Sequence, residues 1–283
     1  MKPAWLNSNI SNSRKETSME KFKVWKVKDS VYDLADEAMD SFYVVVGSER
    51  AAVIDTGISP GETIIPLIRR ITDKPLVLVL THAHLDHMHH MNEFDEVYLC
   101  HDELQMSDEA LAVVGGGKTR EDLERTKDMQ TGSVISLGDD LLEIYKVPGH
   151  TPGTVVILES KYNMLFTGDA IGSGYGAWLH VYGALSLKEY YHSLTGLMKW
   201  LIEKGGRMTF WGGHNSQQFQ SSVMPGYNPL SIGLLADLID LVEKIVRGEI
   251  VGHMAREESA VTRETALYAS YGRAELYYDP NRI

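Results

Sequence analysis

Pro75 is followed by the continuous apolar run Leu76-Val77-Leu78-Val79-Leu80, and directly after it comes Thr81-His82-Ala83-His84-Leu85-Asp86-His87. A run of this length and composition predicts a strand buried on both faces, with Thr81 opening the loop at its end. On an extended backbone alternate side chains share a face, so His82 and His84 point the same way and can hold one cation. Asp86 and His87 come where the chain turns and can face a second point a few ångströms away. A lone histidine is ordinarily a satisfied surface or core residue. Four coordinating groups within six positions at the mouth of a buried strand have no packing use, and metal binding explains them economically.

The rest of the chain supplies strands and helices around that point. Phe22–Val27, Phe42–Val46, Ala51–Ile54, Glu96–Leu99, Leu141–Val147, Thr154–Leu158, Met164–Thr167, Met208–Trp211 and Ala274–Tyr278 read as strands. Gly47-Ser48-Glu49-Arg50 is a hairpin signal. Ser59-Pro60-Gly61-Glu62 predicts a helix start, with Pro66 demanding either a kink or a start nearer Thr63. Ser186-Leu187-Lys188-Glu189 is a capping box, and the helix it opens runs to Gly205-Gly206. Asn228-Pro229 predicts the start of a second long helix, with Leu234, Leu235, Leu238, Leu241, Val242 and Ile245 on its apolar face. Helical segments Asp102–Val114 and Thr119–Gln130, separated by three glycines, make residues 103–131 a candidate lid, or equally a solvated charged face. The expected organisation is a loose N-terminal arm over residues 1–21 and one domain over 22–283, its sheets covered by helices.

Composition narrows the partners. With 283 residues, 43% hydrophobic content and a net charge of −12, the chain can bury a large core, but it repels phosphate backbones and anionic bilayers. Nucleic acid and membrane are therefore not expected, and a small molecule is the expected partner. The single cysteine, Cys100, ends a strand-like run, which suggests a buried thiol. No secretory leader is visible, and a cytoplasmic location is expected. Oligomeric state is not legible.

Three further donors sit where strands end. His150 lies in the turn Pro148-Gly149-His150-Thr151-Pro152-Gly153, Asp169 follows Thr167-Gly168, and His214 follows Gly212-Gly213. Neighbouring glycines let backbone approach a small object closely. With His82, His84, Asp86 and His87 there are seven nitrogen and oxygen donors, more than one ion of the zinc type takes. Two divalent ions are expected unless some of the seven only support the others from behind, with zinc first and manganese or iron compatible with the same donors.

The HxHxDH cluster, the Gly-His-Thr-Pro-Gly turn, the Gly-Asp after a strand and the Gly-Gly-His, in this order, resemble the metallo-β-lactamase-fold superfamily from about Val44 to His214. The resemblance implies an α/β (α+β) chain folded as a four-layer αβ/βα sandwich with metals at one edge. It implies that His82, His84 and His150 hold one ion, that Asp86, His87 and His214 hold the other, and that Asp169 bridges them. Asp55, at a strand end, matches the position of a residue that supports the ligands from behind. Within the superfamily the motif set is similar to that of hydroxyacylglutathione hydrolase (glyoxalase II). However, Met88-His89-His90-Met91-Asn92 replaces the small step usual there, and no basic glutathione site is evident. Homoserine-lactone hydrolases carry a tyrosine three residues beyond the bridging aspartate, where this chain has Gly172.

The chemistry expected of such a centre is hydrolysis of an ester, thioester or lactone, with a metal-bridging hydroxide as nucleophile and Asp86 as a candidate proton shuttle. A small-molecule phosphodiesterase and a non-catalytic, metal-containing binding protein are the alternatives. The glycine-rich segment from Gly172 places Tyr175, Trp178, His180 and Tyr182 as candidate substrate contacts, with ordinary loop packing as the competing reading.

Overall fold

Strands that are apolar at every position must bury both faces, and here each face goes to a different core. In the computed structural model, which describes residues 22–59, 61–172, 176–214, 230–255 and 266–283, seven strands form the first sheet in chain order. They are β1 (Lys23–Lys26), β2 (Val31–Ala35), β3 (Ser41–Val46), β4 (Ala51–Ile54), β5 (Leu76–Val79), β6 (Val97–Leu99) and β7 (Lys127–Asp128). Neighbours are antiparallel from β1 to β4 and parallel from β4 to β7. Phe42, Val44, Val53 and Leu78 face one core, and their sequence neighbours Tyr43, Val45, Ala52, Ile54, Val77 and Val79 face the other.

The second sheet is formed by β8 (Val134–Ser136), β9 (Leu141–Lys146), β10 (Val155–Glu159), β11 (Met164–Gly168) and β13 (Thr209–Gly212), in the order β13-β11-β10-β9-β8. Val155 and Ile157 of β10 meet the inward face of the first sheet, while Val156 and Leu158 point the opposite way. The outer face of the first sheet is covered by α1 (Ile65–Ile68), α2 (Leu85–Met88), α3 (Asp108–Val114) and α4 (Arg120–Glu124). The outer face of the second is covered by α5 (Leu187–Glu203) and α6 (Ile232–Val246). Helix, sheet, sheet, helix is the four-layer αβ/βα sandwich. A third sheet, ordered β12-β16-β15-β14, joins β12 (Ala177–Leu179) to β14 (His253–Met254), β15 (Leu267–Tyr271) and β16 (Ala274–Tyr278).

Several local expectations are corrected. The helix after β4 does not start at Ser59. It is a single turn, with Pro66 in the first-turn position where a missing N–H costs nothing, and Glu93 Oε2 accepts from the Ile64 and Ile65 amides at 3.0 and 3.2 Å. The helix expected over Asp102–Val114 splits into a 3₁₀ turn, His101–Gln105, and α3, because Ser107 caps α3 through the Ala110 amide. α6 is capped by Ser231, and Asn228-Pro229 lies outside the described residues. β2, β7, β8, β12, β14 and β15 were not expected, and β7 lies inside the segment Thr119–Gln130 expected to be helical, of which only Arg120–Glu124 forms a helix. β8 is short, and β12 is a three-residue strand that exists because β16 pairs with it. The segment 103–131 buries Ala110, Leu111, Val114 and Leu123 in the first core and ends in β7, which pairs with β6. The expected N-terminal arm lies outside the described residues.

Candidate metal centre

Parallel strands bring their C-terminal ends to one edge, and two parallel pairs build this site. β4 and β5 pair in parallel, so Asp55 and Thr81 leave the sheet side by side. Across the sandwich β11 and β13 pair in parallel, with a bulge before Gly168, so Asp169 and His214 leave the second sheet together. The Val155 amide donates to Thr81 O at 2.9 Å, and the Ser41 amide to Gly213 O at 2.7 Å, which locks the two edges together. Close approach is enforced at Gly168, whose φ of +47° is left-handed and whose absent Cβ would lie 2.4 Å from Thr81 Oγ1.

All seven expected donors converge there. His82, His84 and His150 form one group and Asp86, His87, Asp169 and His214 another, each with its ligand atoms within 4.8 Å of one another. His84 Nδ1 faces His150 Nε2 at 3.0 Å. Asp169 lies between the groups. Its Oδ2 is 3.6 Å from His150 Nε2 and 3.4 Å from His214 Nε2, and its Oδ1 is 3.6 Å from His87 Nε2 and 3.3 Å from His214 Nε2. Asp86 Oδ2 is 3.3 Å from His87 Nε2 and 3.6 Å from His214 Nε2.

Four of the imidazoles are held from behind through Nδ1. His150 Nδ1–H donates to Trp178 O at 2.7 Å, which leaves Nε2 as the lone-pair atom. His87 Nδ1 meets Asp55 Oδ2 at 2.9 Å, and His214 Nδ1 meets Asp40 Oδ1 at 3.0 Å. His82 Nδ1 meets Thr81 Oγ1 at 3.0 Å, and that hydroxyl donates to Asp55 Oδ2 at 2.8 Å. The opposite nitrogens, Nε2 of His82 and His87, are buried with no hydrogen-bond partner, as is His84 Nε2. Buried ring nitrogens are rarely left so, because each forfeits its solvation. An aimed, dry set of nitrogen and carboxylate donors fits divalent cations.

The electrostatics separate the two groups. Burial depresses His84 to about 3, and burial likewise pushes His82 and His150 below the ordinary imidazole value, so these three are neutral. Burial opposes charge on His87 and His214 as well, but the carboxylates of Asp86, Asp169 and Asp55 around His87, and of Asp169 and Asp40 around His214, hold both well above it. Burial also opposes charge on Asp169, and His214 and His87 nevertheless keep it ionised. The second group is thus a nest of carboxylates that demands positive charge.

The sequence profile of the metallo-beta-lactamase superfamily matches residues 36–214, more than half of the chain and the whole span from Asp36 through the last donor. The chain belongs to that superfamily. A bovine acyl-coenzyme A thioesterase, MBLAC2, is 28% identical over an alignment of 183 positions that covers 53% of this chain and 64% of the relative. The match thus spans a little under two thirds of the curated relative's length. A metallo-beta-lactamase from Pontibacter korlensis superposes with a TM-score of 0.53 at 20% identity, over 81% of this chain and 99% of that one. The class B3 di-zinc metallo-beta-lactamase LRA-12 from an Alaskan soil metagenome does so with a TM-score of 0.54 at 18% identity, over 80% and 93%. The superposed structures share the fold. Superfamily members are metal-dependent hydrolases, and the fold is typically dinuclear.

Around this superfamily site the candidate substrate contacts are unequal. Trp178 sits on β12 with its carbonyl on His150, and Trp178 Nε1 and His180 Nδ1 are both buried without a hydrogen-bond partner. Their rings lie 5.2 Å apart, and Tyr277 of β16 packs on both. Tyr182 is 38% exposed, and Tyr175 lies outside the described residues. His89 and His90 stay outside both donor groups, His90 bonding Glu93 at 2.7 Å. Cys100 is buried and pushed up to about 12 by that burial, an inert thiol. Sequence reasoning missed Asp40, Thr81 and Glu103. Asp40 and Glu103 stand far from any histidine motif, and Thr81 was read only as the start of the loop. No helix among the described residues is long and apolar enough to cross a membrane.

Proposed function

We propose that the chain is a dinuclear metal-dependent hydrolase of small carboxylic esters, thioesters or lactones. The observation that carries this reading is Asp169, whose carboxyl lies between the two donor groups, Oδ2 3.6 Å from His150 Nε2 and 3.4 Å from His214 Nε2, and Oδ1 3.6 Å from His87 Nε2 and 3.3 Å from His214 Nε2. His82, His84 and His150 would hold one ion, Asp86, His87 and His214 the other, and Asp169 would bridge, with zinc the first candidate. When bound, such a pair supplies Lewis acidity and an activated water at neutral pH.

The chain's own residues then have distinct tasks. Asp55, Asp40, Thr81 and the Trp178 carbonyl hold the imidazoles in one tautomer and orientation, so the centre needs no reorganisation when substrate arrives. Asp86 is 29% exposed, against 4% for Asp169, so its Oδ2 is the carboxylate oxygen best placed to pass a proton between the centre and solvent. The aromatic face of Trp178, His180 and Tyr277 is the nearest wall for an acyl group. The resemblance to proteins named acyl-coenzyme A thioesterase favours the thioester member of the class.

The test is metal analysis of the purified chain beside a panel of p-nitrophenyl esters, thioesters, lactones and bis-p-nitrophenyl phosphate with zinc, manganese or iron. About two metals per chain are expected, with carbonyl substrates turned over and activity abolished in His84→Ala and Asp169→Ala. Turnover of the phosphodiester alone refutes the carbonyl reading. A fully loaded protein inert to the whole panel refutes hydrolysis.

A further inference from the structure

Glu103 leaves the 3₁₀ turn His101–Gln105 just after β6 and is 1% exposed. A carboxyl so buried has to be anchored, and its anchors are unusual. Glu103 Oε1 accepts from the Ala83 amide at 3.3 Å and from the Thr151 hydroxyl at 2.5 Å, and the Gly153 amide also donates to the carboxyl. Thr151 Oγ1 is tied in turn to Thr154 Oγ1 at 2.7 Å. Gly153 has no side chain to keep the two apart, since a Cβ there would lie 2.6 Å from Glu103 Cγ. One carboxyl therefore joins the loop after β5 to the turn between β9 and β10.

Its position relative to the donors is selective. Ala83 lies between His82 and His84, and Thr151 follows His150, so each member of the three-histidine group is peptide-bonded to a residue that Glu103 holds. His87 and His214, in the other group, have different supports. Thr56 Oγ1 donates to His87 O at 3.0 Å, Asp55 takes His87 Nδ1, and Asp40 takes His214 Nδ1. From this we infer that Glu103 is a positioning residue for the three-histidine group alone, setting the affinity of one of the two metal positions while leaving the other unchanged. The inference rests on the metal-centre reading above.

Competition titrations of zinc against a chromophoric chelator, on the full-length wild type, Glu103→Ala, Glu103→Gln and His84→Ala, separate the two ideas. Wild type is expected to bind about two equivalents. Glu103→Ala is expected to weaken one of them about 10–100-fold, the usual effect of removing a support behind a ligand. The weakened equivalent should be the one His84→Ala loses, and the other should stay within about threefold. Glu103→Gln keeps a carbonyl oxygen for Ala83 and Thr151 and should rescue most of the loss. If Glu103→Ala fails to fold, Thr151→Val removes one of the anchors and should weaken the same equivalent. A wild type that binds no metal overturns the metal-centre reading itself. A two-metal wild type with Glu103→Ala or Thr151→Val titrating identically, with both equivalents weakened alike, or with no rescue by glutamine, overturns the role of Glu103.

Discussion

Asp55 ties the loop after β5 to a donor imidazole from outside the donor set, and Asp55→Ala measures that load. The carboxyl is 2% exposed and accepts from the Thr81 amide at 2.7 Å, the Thr81 hydroxyl at 2.8 Å and His87 Nδ1 at 2.9 Å. Its backbone is left-handed, with φ +60°, a conformation that aspartate tolerates better than alanine does. Truncation leaves the Thr81 N–H and the His87 Nδ1–H buried without an acceptor. Hydrogen bonds to a charged acceptor contribute about 1.5–3 kcal/mol each, so two of them predict a loss of about 3–6 kcal/mol before any strain is added. Asp55→Asn is the control. It keeps the shape, the left-handed preference and one oxygen, and should lose about half as much. Urea unfolding in excess chelator, followed by tryptophan fluorescence and circular dichroism together, reads the difference without any contribution from metal. A loss under about 1 kcal/mol for Asp55→Ala, or asparagine no better than alanine, would show that these bonds do not hold the ligand loops.

Two further outcomes follow from separate parts of the molecule. A Cβ on Gly213 would lie 2.5 Å from Asp169 Oδ1 and 2.6 Å from His87 Cε1, so Gly213→Ala must push two donors of one group apart. Metal affinity should fall about 10–100-fold, and an unchanged affinity would mean that the loop yields freely. Far from the site, burial and then the neighbouring Asp140 carboxylate push Glu159 up to about 7. Between its ordinary value of 4.5 and about 7 the folded chain keeps a proton that the unfolded chain has lost, so stability falls as pH rises through that window and levels off above it. Glu159→Gln still accepts from the Lys161 and Tyr162 amides but has no proton to lose, so its melting temperature should gain on wild type across the window. Parallel melting curves for the two proteins would contradict that sign.

Much of the site was legible because a metal donor set is written in short spacings. His82 and His84 stand two apart, the spacing that an extended backbone would place on one face, and glycines precede Asp169 and His214 where chain and donor must come close. The cores were legible for a similar reason, since unbroken apolar strands such as Leu76–Val79 and Val155–Leu158 announce burial on both faces. Element ends were less so. Ser59 looks like a helix cap, yet the helix starts at Ile65 because a distant glutamate, Glu93, satisfies its first amides.

What the chain's own order of residues determined is therefore the donor inventory and the two-faced strands, both local patterns. Which donors gather into one group, and what steadies them, arose only on folding. Strand pairing puts the ends of β4 and β5 opposite those of β11 and β13, and it brings Asp40 to His214 from more than 170 residues away. It also brings β16 against β12, so that the Trp178 carbonyl can hold His150. No periodicity encodes those encounters, because hydrogen bonding between strands is blind to sequence separation and the register is chosen by the packed core as a whole.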